Sequence, residues 1–406
     1  MSAPVSGAPA PGVRVPDAPV SSASAADAGP DLAFEVADID CTVLEAPLRV
    51  PRRNAFGTMR SRPALLVRLR SADGAEGWGE AFCNWPPFAA GYRRRIVEEL
   101  LAPLVVGRAH ASPRALRLSL EAATRRLRLQ CGDRGAFDQA IAGVEIAAWR
   151  AVEARTGRPL AVLLAPPGGA PAPVPVYASA LTSETIDALV PPLVEAGWTG
   201  FKVKVGFGAA ADSRALERLR TLVGPDARLM ADANQRWDLP EAIDAVTRLV
   251  DHDVAWLEEP LPADAPSDDW ARLAEASAVP LAAGENLAGR DALVGAFAGG
   301  ALAVVQPDPI KWGGLSGSIE VVEAARGAGM TADWCPHYLG GGVGLGATAA
   351  LACARGATWL EVDVTENPLR DGLCGALPIE GGAVAADALG DGGPDGEALA
   401  LYRTDG

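Results

Sequence analysis

The sequence has no long apolar run and no excess of positive charge. No stretch approaches the roughly 20 apolar residues that a membrane-spanning helix needs, so we expect no membrane partner. The chain has 36 lysines and arginines against 51 aspartates and glutamates, a net charge of −15, and it therefore lacks the basic footprint of a nucleic-acid-binding protein. The same charge repels anions, so an anionic substrate would have to be held by local cations.

Cysteine is sparse and offers no obvious pairing. The six cysteines are scattered and none forms a Cys-x-x-Cys pair, which disfavours a zinc site and predicts reduced core thiols in a cytoplasmic protein. Residues 1–32 are rich in Ala, Pro, Ser and Gly and lack the basic start and apolar stretch of a signal peptide. We predict that this segment is disordered.

The composition of residues 33–165 is that of a folded unit of strands followed by helices. An antiparallel meander with a turn at 71–74 is predicted over three β-rich stretches, 35–43, 64–69 and 77–80. A long loop is predicted at 47–62 and a shorter one at 84–88, and loops of this kind are often functional. The following residues, 93–155, have helical periodicity.

After a Pro/Gly linker at 166–173, short β-rich runs alternate with amphipathic stretches. The runs start at intervals of roughly 22–28 residues, and they span 174–180, 201–205, 229–232, 254–258, 281–285, 303–306, 331–335 and 358–363. Strands alternating with helices form parallel sheets, and eight such units close most economically into a barrel. We therefore predict a barrel over 174–363, with residues 364–406 returning to the N-terminal unit.

Three successive predicted strands end in an acid. These acids are Asp232, Glu258 and Glu285, and side chains at the carboxyl ends of barrel strands converge on one mouth. Oxygen donors without His or Cys suit Mg²⁺. Each acid alone is equally compatible with a solvated strand end or a helix N-cap, but three in register favour a metal site.

Two lysines lie two residues apart on one predicted strand. Lys202 and Lys204 point to the same face, which inside a barrel is the core, where an unused ammonium is costly. Two neighbouring cations beside a dication disfavour each other's charged forms, which predicts a lowered lysine pKa, as a general base requires. The alternative is an outward-facing basic pair at the rim.

Further candidates follow the last three strands. Asp308 and His337 lie just beyond the sixth and seventh strands, where a carboxylate can orient an imidazole and support its protonated form. His110 and His252 have no such placement, and we expect them to be structural. Glu361, near the end of the eighth strand, completes the ring as a hydrogen-bonding acid or is a surface acid.

Together these residues resemble the enolase superfamily, specifically its mandelate racemase-like subgroup. The resemblance extends from about residue 34 onward and rests on residues 142–149, Lys202-x-Lys204, Asp232-Ala-Asn234, Trp256-Leu-Glu-Glu-Pro260, Gly284-Glu-Asn286, Gln306-Pro-Asp308, Lys311-Trp-Gly-Gly314 and Leu360-Glu-Val-Asp363. It implies an α/β fold, a modified (β/α)₇β TIM barrel with an α+β capping domain built from the N-terminal region and the C-terminal tail. It also implies a symmetric homo-oligomer.

The resemblance further implies roles for individual residues. Mg²⁺ is expected on Asp232, Glu258 and Glu285, with Lys204 as one base and the Asp308–His337 dyad as the opposing acid/base. Lys202 is expected to stabilise developing charge, Lys311 is given no catalytic role, and the expected substrate contacts are Asn234, Glu361, Arg60 and Trp85. Muconate-lactonizing and dipeptide-epimerase relatives carry a lysine in place of the dyad, so those activities are disfavoured.

At such a site we expect the proton α to the carboxylate of a small molecule to be removed, which gives an enediolate. If a β-hydroxyl is present, the protonated histidine can expel it as water and yield a 2-keto acid; otherwise, reprotonation from the opposite face inverts the centre. We expect dehydration of a sugar acid or related hydroxy acid. The alternatives are a racemase or epimerase of a 2-hydroxy acid and, more remotely, a catalytically silent ligand-binding barrel.

Overall fold

The computed structural model describes residues 30–54, 57–287, 289–327 and 333–404. Residues 1–29 lie outside the described ranges, so their disorder stays a prediction. The last three residues of the segment predicted to be disordered, Pro30–Leu32, form a short 3₁₀ helix. The first two residues of the predicted strand 331–335 also lie outside the described residues. Within the described ranges, no helix is both long and apolar enough to cross a membrane.

The N-terminal residues form an antiparallel sheet of β1 (Phe34–Asn54), β2 (Gly57–Ser71) and β3 (Glu76–Ala81). This confirms the predicted meander. Its turn is closed by the Gly74 amide, which donates to the Ser71 carbonyl at 2.9 Å.

The predicted loop at 47–62 is wrong, because β1 and β2 remain paired as far as Asn54 and Gly57. The register shifts between Pro47 and Arg52. Prolines at 47 and 51 cannot donate to the ladder, and this irregularity is what made the sequence look like a loop.

Helices cover one face of this sheet. They are α1 (Ala89–Arg95), a π-helical segment (Ile96–Leu101), α2 (Ala102–Val105), α3 (Pro113–Cys131), α4 (Arg134–Thr156) and α5 (Leu160–Leu164), and a short strand β4 (Ala109–His110) pairs with the start of β1. The break between α3 and α4 follows from Gly132, which is left-handed, and from Asp133, whose side chain accepts from the Ala136 amide at 3.1 Å. The predicted helical character of 93–155 is confirmed, with these interruptions.

Strand β3 lies directly against α4 and leaves no room for a side chain at Gly79. A Cβ at this position would lie 2.0 Å from the Gly143 carbonyl oxygen and 2.6 Å from the Ala147 nitrogen. We expect Gly79→Ala to lower the free energy of unfolding by about 3 kcal/mol or more, since both elements must move apart. Gly135→Ala is the control, because a Cβ there meets nothing within 4 Å and alanine favours the helix. Equal denaturation midpoints for the two variants would contradict this close packing.

Eight parallel strands form the barrel, in chain order: β5 (Val174–Leu181), β6 (Gly200–Lys204), β7 (Arg228–Asp232), β8 (Val254–Glu258), β9 (Leu281–Ala283), β10 (Val304–Val305), β11 (Asp333–Trp334) and β12 (Leu360–Asp363). β12 returns to pair with β5, with Leu360 opposite Val176, and the Thr358 amide donates to the Trp334 carbonyl at 3.0 Å beside it. The predicted barrel is confirmed, although β9, β10 and β11 are shorter than predicted.

Helices connect these strands on the outside of the barrel. They are α6 (Ile186–Glu195), α7 (Ala209–Val223), α8 (Leu239–Leu249), α9 (Ser267–Ala276), α10 (Arg290–Ala298), α11 (Gly314–Gly327) and α12 (Gly342–Arg355). The main hydrophobic core lies between them and the strands and includes Phe201, Leu229 and Leu257, all fully buried. Inside the barrel, Tyr177, Met230 and Trp256 fill the space below the mouth.

The C-terminal tail joins both parts of the molecule. It contains α13 (Pro368–Asp371), β13 (Ile379–Glu380), β14 (Ala383–Val384), a 3₁₀ turn (Ala386–Ala388), α14 (Gly396–Tyr402) and β15 (Arg403–Thr404). β15 pairs with β1, so the chain returns to the N-terminal sheet as predicted, whereas β14 pairs with the barrel strand β5. Residues 33–165 and the end of the tail thus build one cap over the barrel.

Candidate active site

Strand register brings Lys204, Asp232 and Glu258 to one level of the barrel mouth. Lys204 lies opposite Asp232 in the β6–β7 ladder, and Asp232 lies opposite Glu258 in the β7–β8 ladder. Glu285 follows Gly284, where a Cβ would lie 2.5 Å from the Gln306 backbone. Only glycine allows this close approach, which places Glu285 beside the end of β10.

Lys202 is buried two residues below this level, with a side chain that is 1% exposed. Its Nζ lies 2.6 Å from Glu258 Oε2, 2.8 Å from Glu361 Oε1 and 3.9 Å from Asp232 Oδ2. Burial lowers the pKa of Lys202, but Glu258 and Glu361 outweigh it and hold that pKa well above its ordinary value. The lysine therefore faces the barrel interior, as predicted, and is positively charged there.

Lys204 forms an ion pair with Asp232 and is 25% exposed. The sequence predicts a lowered pKa for this lysine beside a metal ion, and the side chains of the protein by themselves give the opposite direction. Burial and the charge of Lys202 lower the pKa of Lys204, but the attraction of Asp232 and Glu258 is stronger and raises it.

The structure brings Asp308 and His337 together. His337 Nδ1 lies 2.7 Å from Asp308 Oδ2, while Asp308 Oδ1 accepts from the Ile310 amide at 2.9 Å, which fixes the carboxylate. His337 Nε2 faces the mouth, 3.3 Å from Glu285 Oε2 and 3.8 Å from Glu361 Oε2. Burial lowers the pKa of His337, but Glu285, Glu361 and the bond to Asp308 outweigh it and raise the pKa to about 9.

The three predicted metal ligands are engaged by cations of the chain. Glu258 pairs with Lys202, Asp232 with Lys204, and Glu285 with Lys311. Over residues 30–54, 57–287, 289–327 and 333–404, no three His, Cys, Asp or Glu side chains are gathered as a ready metal site. Glu258 Oε1 is nevertheless buried without a hydrogen-bond partner, and carboxylate oxygens are among the hard donors that Mg²⁺ prefers. By these two criteria the residues fit a magnesium ion.

Two predicted substrate contacts, Asn234 and Glu361, bond to neighbouring site residues. The Asn234 amide donates to Asp232 Oδ1 at 2.8 Å and its side chain to Asp232 Oδ2 at 3.3 Å, from a left-handed backbone with φ of 44°. Glu361 accepts from Lys202 and from the Ser179 hydroxyl. Asn234 therefore orients Asp232, and Glu361 holds Lys202 in place. Contact of Asn234 and Glu361 with substrate stays a prediction.

The other two predicted substrate contacts belong to the cap. Arg60 and Trp85 line a groove of about 670 Å³ in the cap, whose described lining includes none of the acids, lysines or the histidine of the mouth. Asn84 connects the two regions: it lines the groove and donates to the Leu339 carbonyl at 3.0 Å, two residues after His337. A role for Arg60 and Trp85 at the substrate stays a prediction.

Three residues without an assigned role also belong to the site. Gln306 donates to Glu258 Oε2 at 2.6 Å, Ser179 donates to Glu361, and Lys311 Nζ pairs with Glu285 and lies 4.6 Å from the Phe82 ring centroid. The scarcity of lysine in the sequence could have indicated that Lys311 belongs to the site. The chain has only three lysines, Lys202, Lys204 and Lys311, and all three contact acids of the mouth.

Two sequence families match the chain over most of its length. Residues 38–165 match the family described as "Mandelate racemase / muconate lactonizing enzyme, N-terminal domain", and residues 186–392 match "Enolase C-terminal domain-like". The first range corresponds to the cap, and the second to the barrel from α6 onward with part of the tail.

Two solved structures are similar over nearly the whole chain. A mandelate racemase/muconate lactonizing enzyme from Bordetella bronchiseptica RB50 is 41% identical, with a TM-score of 0.83 and coverage of 91% of this chain and 99% of that one. An enolase from Bradyrhizobium, complexed with magnesium and mandelic acid, is 30% identical, with a TM-score of 0.79 and coverage of 92% and 99%.

Two characterised relatives represent different reactions. The D-galactarolactone cycloisomerase of Agrobacterium fabrum is 29% identical over 82% of this chain and 88% of its own length. The arabinonate dehydratase of Saccharolobus solfataricus is 28% identical over 75% and 80%. The matched families, the cap and the barrel together show that the chain belongs to the enolase superfamily, within its mandelate racemase/muconate lactonizing enzyme group.

Proposed function

We propose that the protein removes the proton α to the carboxylate of a small hydroxy acid and passes through an enediolate. The observation that carries the proposal is the pair of His337 and Asp308 at 2.7 Å, because a carboxylate on one ring nitrogen orients the other to carry a proton. Relatives named as a dehydratase and a cycloisomerase support this class of chemistry.

Two proton carriers contact different parts of the ring of acids. Lys204 pairs with Asp232 on β7, whereas His337 approaches Glu285 and Glu361. This separation supports action on opposite faces of a bound substrate, with Lys204 taking the α-proton on one face. The buried, charged Lys202 would donate a hydrogen bond to the carboxylate oxygen on which negative charge develops.

Asp232, Glu258 and Glu285 are the residues that we propose to hold Mg²⁺. When bound there, the ion would stabilise the negative charge of the enediolate and offset the acids that now raise the pKa of Lys204. The magnesium in the Bradyrhizobium structure supports the choice of ion.

Dehydration of a sugar acid or related hydroxy acid is the reaction that we favour. Asp308 holds His337 Nδ1 and supports the protonated imidazole, while Nε2 faces the mouth. His337 can therefore deliver a proton to a departing β-hydroxyl, so that water leaves and a 2-keto acid remains. Racemisation or epimerisation of a 2-hydroxy acid is the second candidate, and the mandelic acid bound by the Bradyrhizobium relative favours it.

A panel of aldonic, aldaric and aromatic 2-hydroxy acids, incubated in D₂O with Mg²⁺, tests these reactions. We expect mass spectrometry to show loss of water from at least one sugar acid, and we expect a chelator to abolish that loss because the enediolate is no longer stabilised. Chiral analysis of the recovered acids follows inversion at the α-carbon in the same samples.

Each outcome assigns one reaction. Deuterium incorporation with inversion and without loss of water would replace dehydration by racemisation. No Mg²⁺-dependent change in any acid of the panel would contradict both and leave the ligand-binding barrel.

A further inference from the structure

Glu80 is a buried acid of the cap that the proposed chemistry does not use. It lies in β3 and is 2% exposed. Its hydrogen-bond partners in the described structure are neutral: the Gly341 amide at 2.5 Å, the Gly344 amide at 2.9 Å and the Tyr338 hydroxyl at 3.3 Å. Burial raises the pKa of Glu80 against the effect of these three bonds. A buried carboxylate without a cation is costly, so its placement calls for a function.

All three partners belong to the segment that follows His337. Tyr338 is the next residue, and Gly341 and Gly344 flank the start of α12, where the helix dipole favours a negative charge. The backbone is folded tightly around the acid, since a Cβ at Gly340 would lie 2.8 Å from Glu80 Oε1. The carboxylate therefore defines the path of the chain immediately after the histidine.

The same edge of the cap also holds the loop that carries Asp308. The Phe82 amide donates to the Ile310 carbonyl at 3.1 Å, and the Ile310 amide in turn donates to Asp308 Oδ1 at 2.9 Å. Asn84, two residues further on, holds the Leu339 carbonyl at 3.0 Å. Residues 80, 82 and 84 thus contact both loops that supply the dyad.

We propose that Glu80 is a positioning residue that sets the orientation of the His337 imidazole through the segment 338–344. Its kinetic consequence rests on the function proposed above. Lys204 is anchored on β6 and β7, so loss of the Glu80 carboxylate should impair proton transfer by His337 and spare proton transfer by Lys204.

The test variant is Glu80→Gln, which keeps the shape of the side chain. Its NH₂ group is a donor and would face one of the two backbone N–H groups, so that this N–H would lose its acceptor. Glu145→Gln is a matched control. Glu145 is also fully buried in the cap and accepts from two amides at the start of a barrel helix, those of Leu315 at 2.9 Å and Ser316 at 3.0 Å. It bonds to α11 rather than to the segment after His337.

The first readout does not depend on activity. The chain has three histidines, so ¹⁵N-histidine labelling gives ring signals from only His110, His252 and His337. We expect Glu80→Gln to shift the His337 signals, because the Nδ1 bond to Asp308 is disturbed, while the other two stay in place. Glu145→Gln should leave all three unchanged. Tyr338→Phe removes the hydroxyl that contacts both Glu80 and the Gly341 carbonyl. It should give a smaller shift of the same signals, because the two amide bonds to Glu80 remain, and it serves if Glu80→Gln does not fold.

The second readout uses the two α-epimers of an acid that exchanges in D₂O, one epimer presenting its proton to Lys204 and the other to His337. For the epimer whose α-proton faces His337, we expect Glu80→Gln to lower kcat by about 10- to 100-fold, the usual penalty for a displaced catalytic group. The KM for this epimer should change little. For the epimer whose α-proton faces Lys204, the rate of deuterium exchange should stay close to that of the unmodified protein.

Two results would overturn the proposal. One is unchanged His337 signals in both Glu80→Gln and Tyr338→Phe. The other is an equal loss of exchange from both epimers, which would indicate general loosening. If the unmodified protein exchanges no acid, the proposed function fails, and the histidine spectra alone then decide whether Glu80 positions the imidazole.

Discussion

Replacement of Lys204 with alanine should abolish α-proton exchange on one face of the substrate. General base catalysis contributes about 10²- to 10⁴-fold, and we expect a loss of about 10³-fold in kcat, or about 4 kcal/mol of transition-state stabilisation. The physical reason is that Lys204 is the only proton carrier described on the β6 side of the mouth that is partly exposed, whereas Lys202 is buried and paired with two acids. Deuterium incorporation from each α-epimer, followed by mass spectrometry, measures the loss.

Lys204→Arg separates charge from proton transfer. Arginine preserves the positive partner of Asp232 but does not give up its proton near neutral pH, so we expect it to be as inactive as the alanine variant. Arg218→Ala is the control, since its ion pair with Asp187 is exposed. Full turnover by either Lys204 variant would show that the base is another residue.

The fold was predictable because its signals are periodic and local. The runs from β5 to β12 alternate with amphipathic helices, and a parallel arrangement of eight units leaves few topologies. The errors lie where pairing is irregular or depends on distant residues. The prolines in 47–62 made a long β-hairpin look like a loop. No feature of the sequence around β14 predicted that this strand would pair with β5.

The site was predictable to the extent that strand ends determine it. The register of β6, β7 and β8 places Lys204, Asp232 and Glu258 side by side, as the sequence pattern implied. The pKa of Lys204 was not predictable, because its sign depends on how many acids approach one ammonium, and that number is a property of the folded mouth. The position of Arg60 depends on the hairpin of β1 and β2, which the sequence did not reveal. The homo-oligomer remains a prediction.

Replacement of His337 with asparagine should stop product formation while leaving one proton transfer intact. The amide of asparagine can still donate to Asp308 but can neither remove nor deliver a proton. If the reaction is a dehydration, we expect the yield of 2-keto acid to fall by about 10³-fold, because the β-hydroxyl no longer receives a proton. Exchange at the α-carbon by Lys204 should continue in D₂O, so substrate would gain deuterium without losing water.

This uncoupling of exchange from elimination is the most specific consequence of two separate proton carriers. His252→Asn is the matched control, since His252 lies in the 3₁₀ turn after α8, contacts Ser213 at 3.2 Å and has no contact with the mouth in the described structure; it should behave as the unmodified protein. A His337→Asn variant that loses exchange and elimination together, at unchanged thermal stability, would mean that a single group handles both protons. Lys204 and His337 would then not be two separate proton carriers, and neither dehydration by opposed groups nor racemisation between them would describe this barrel.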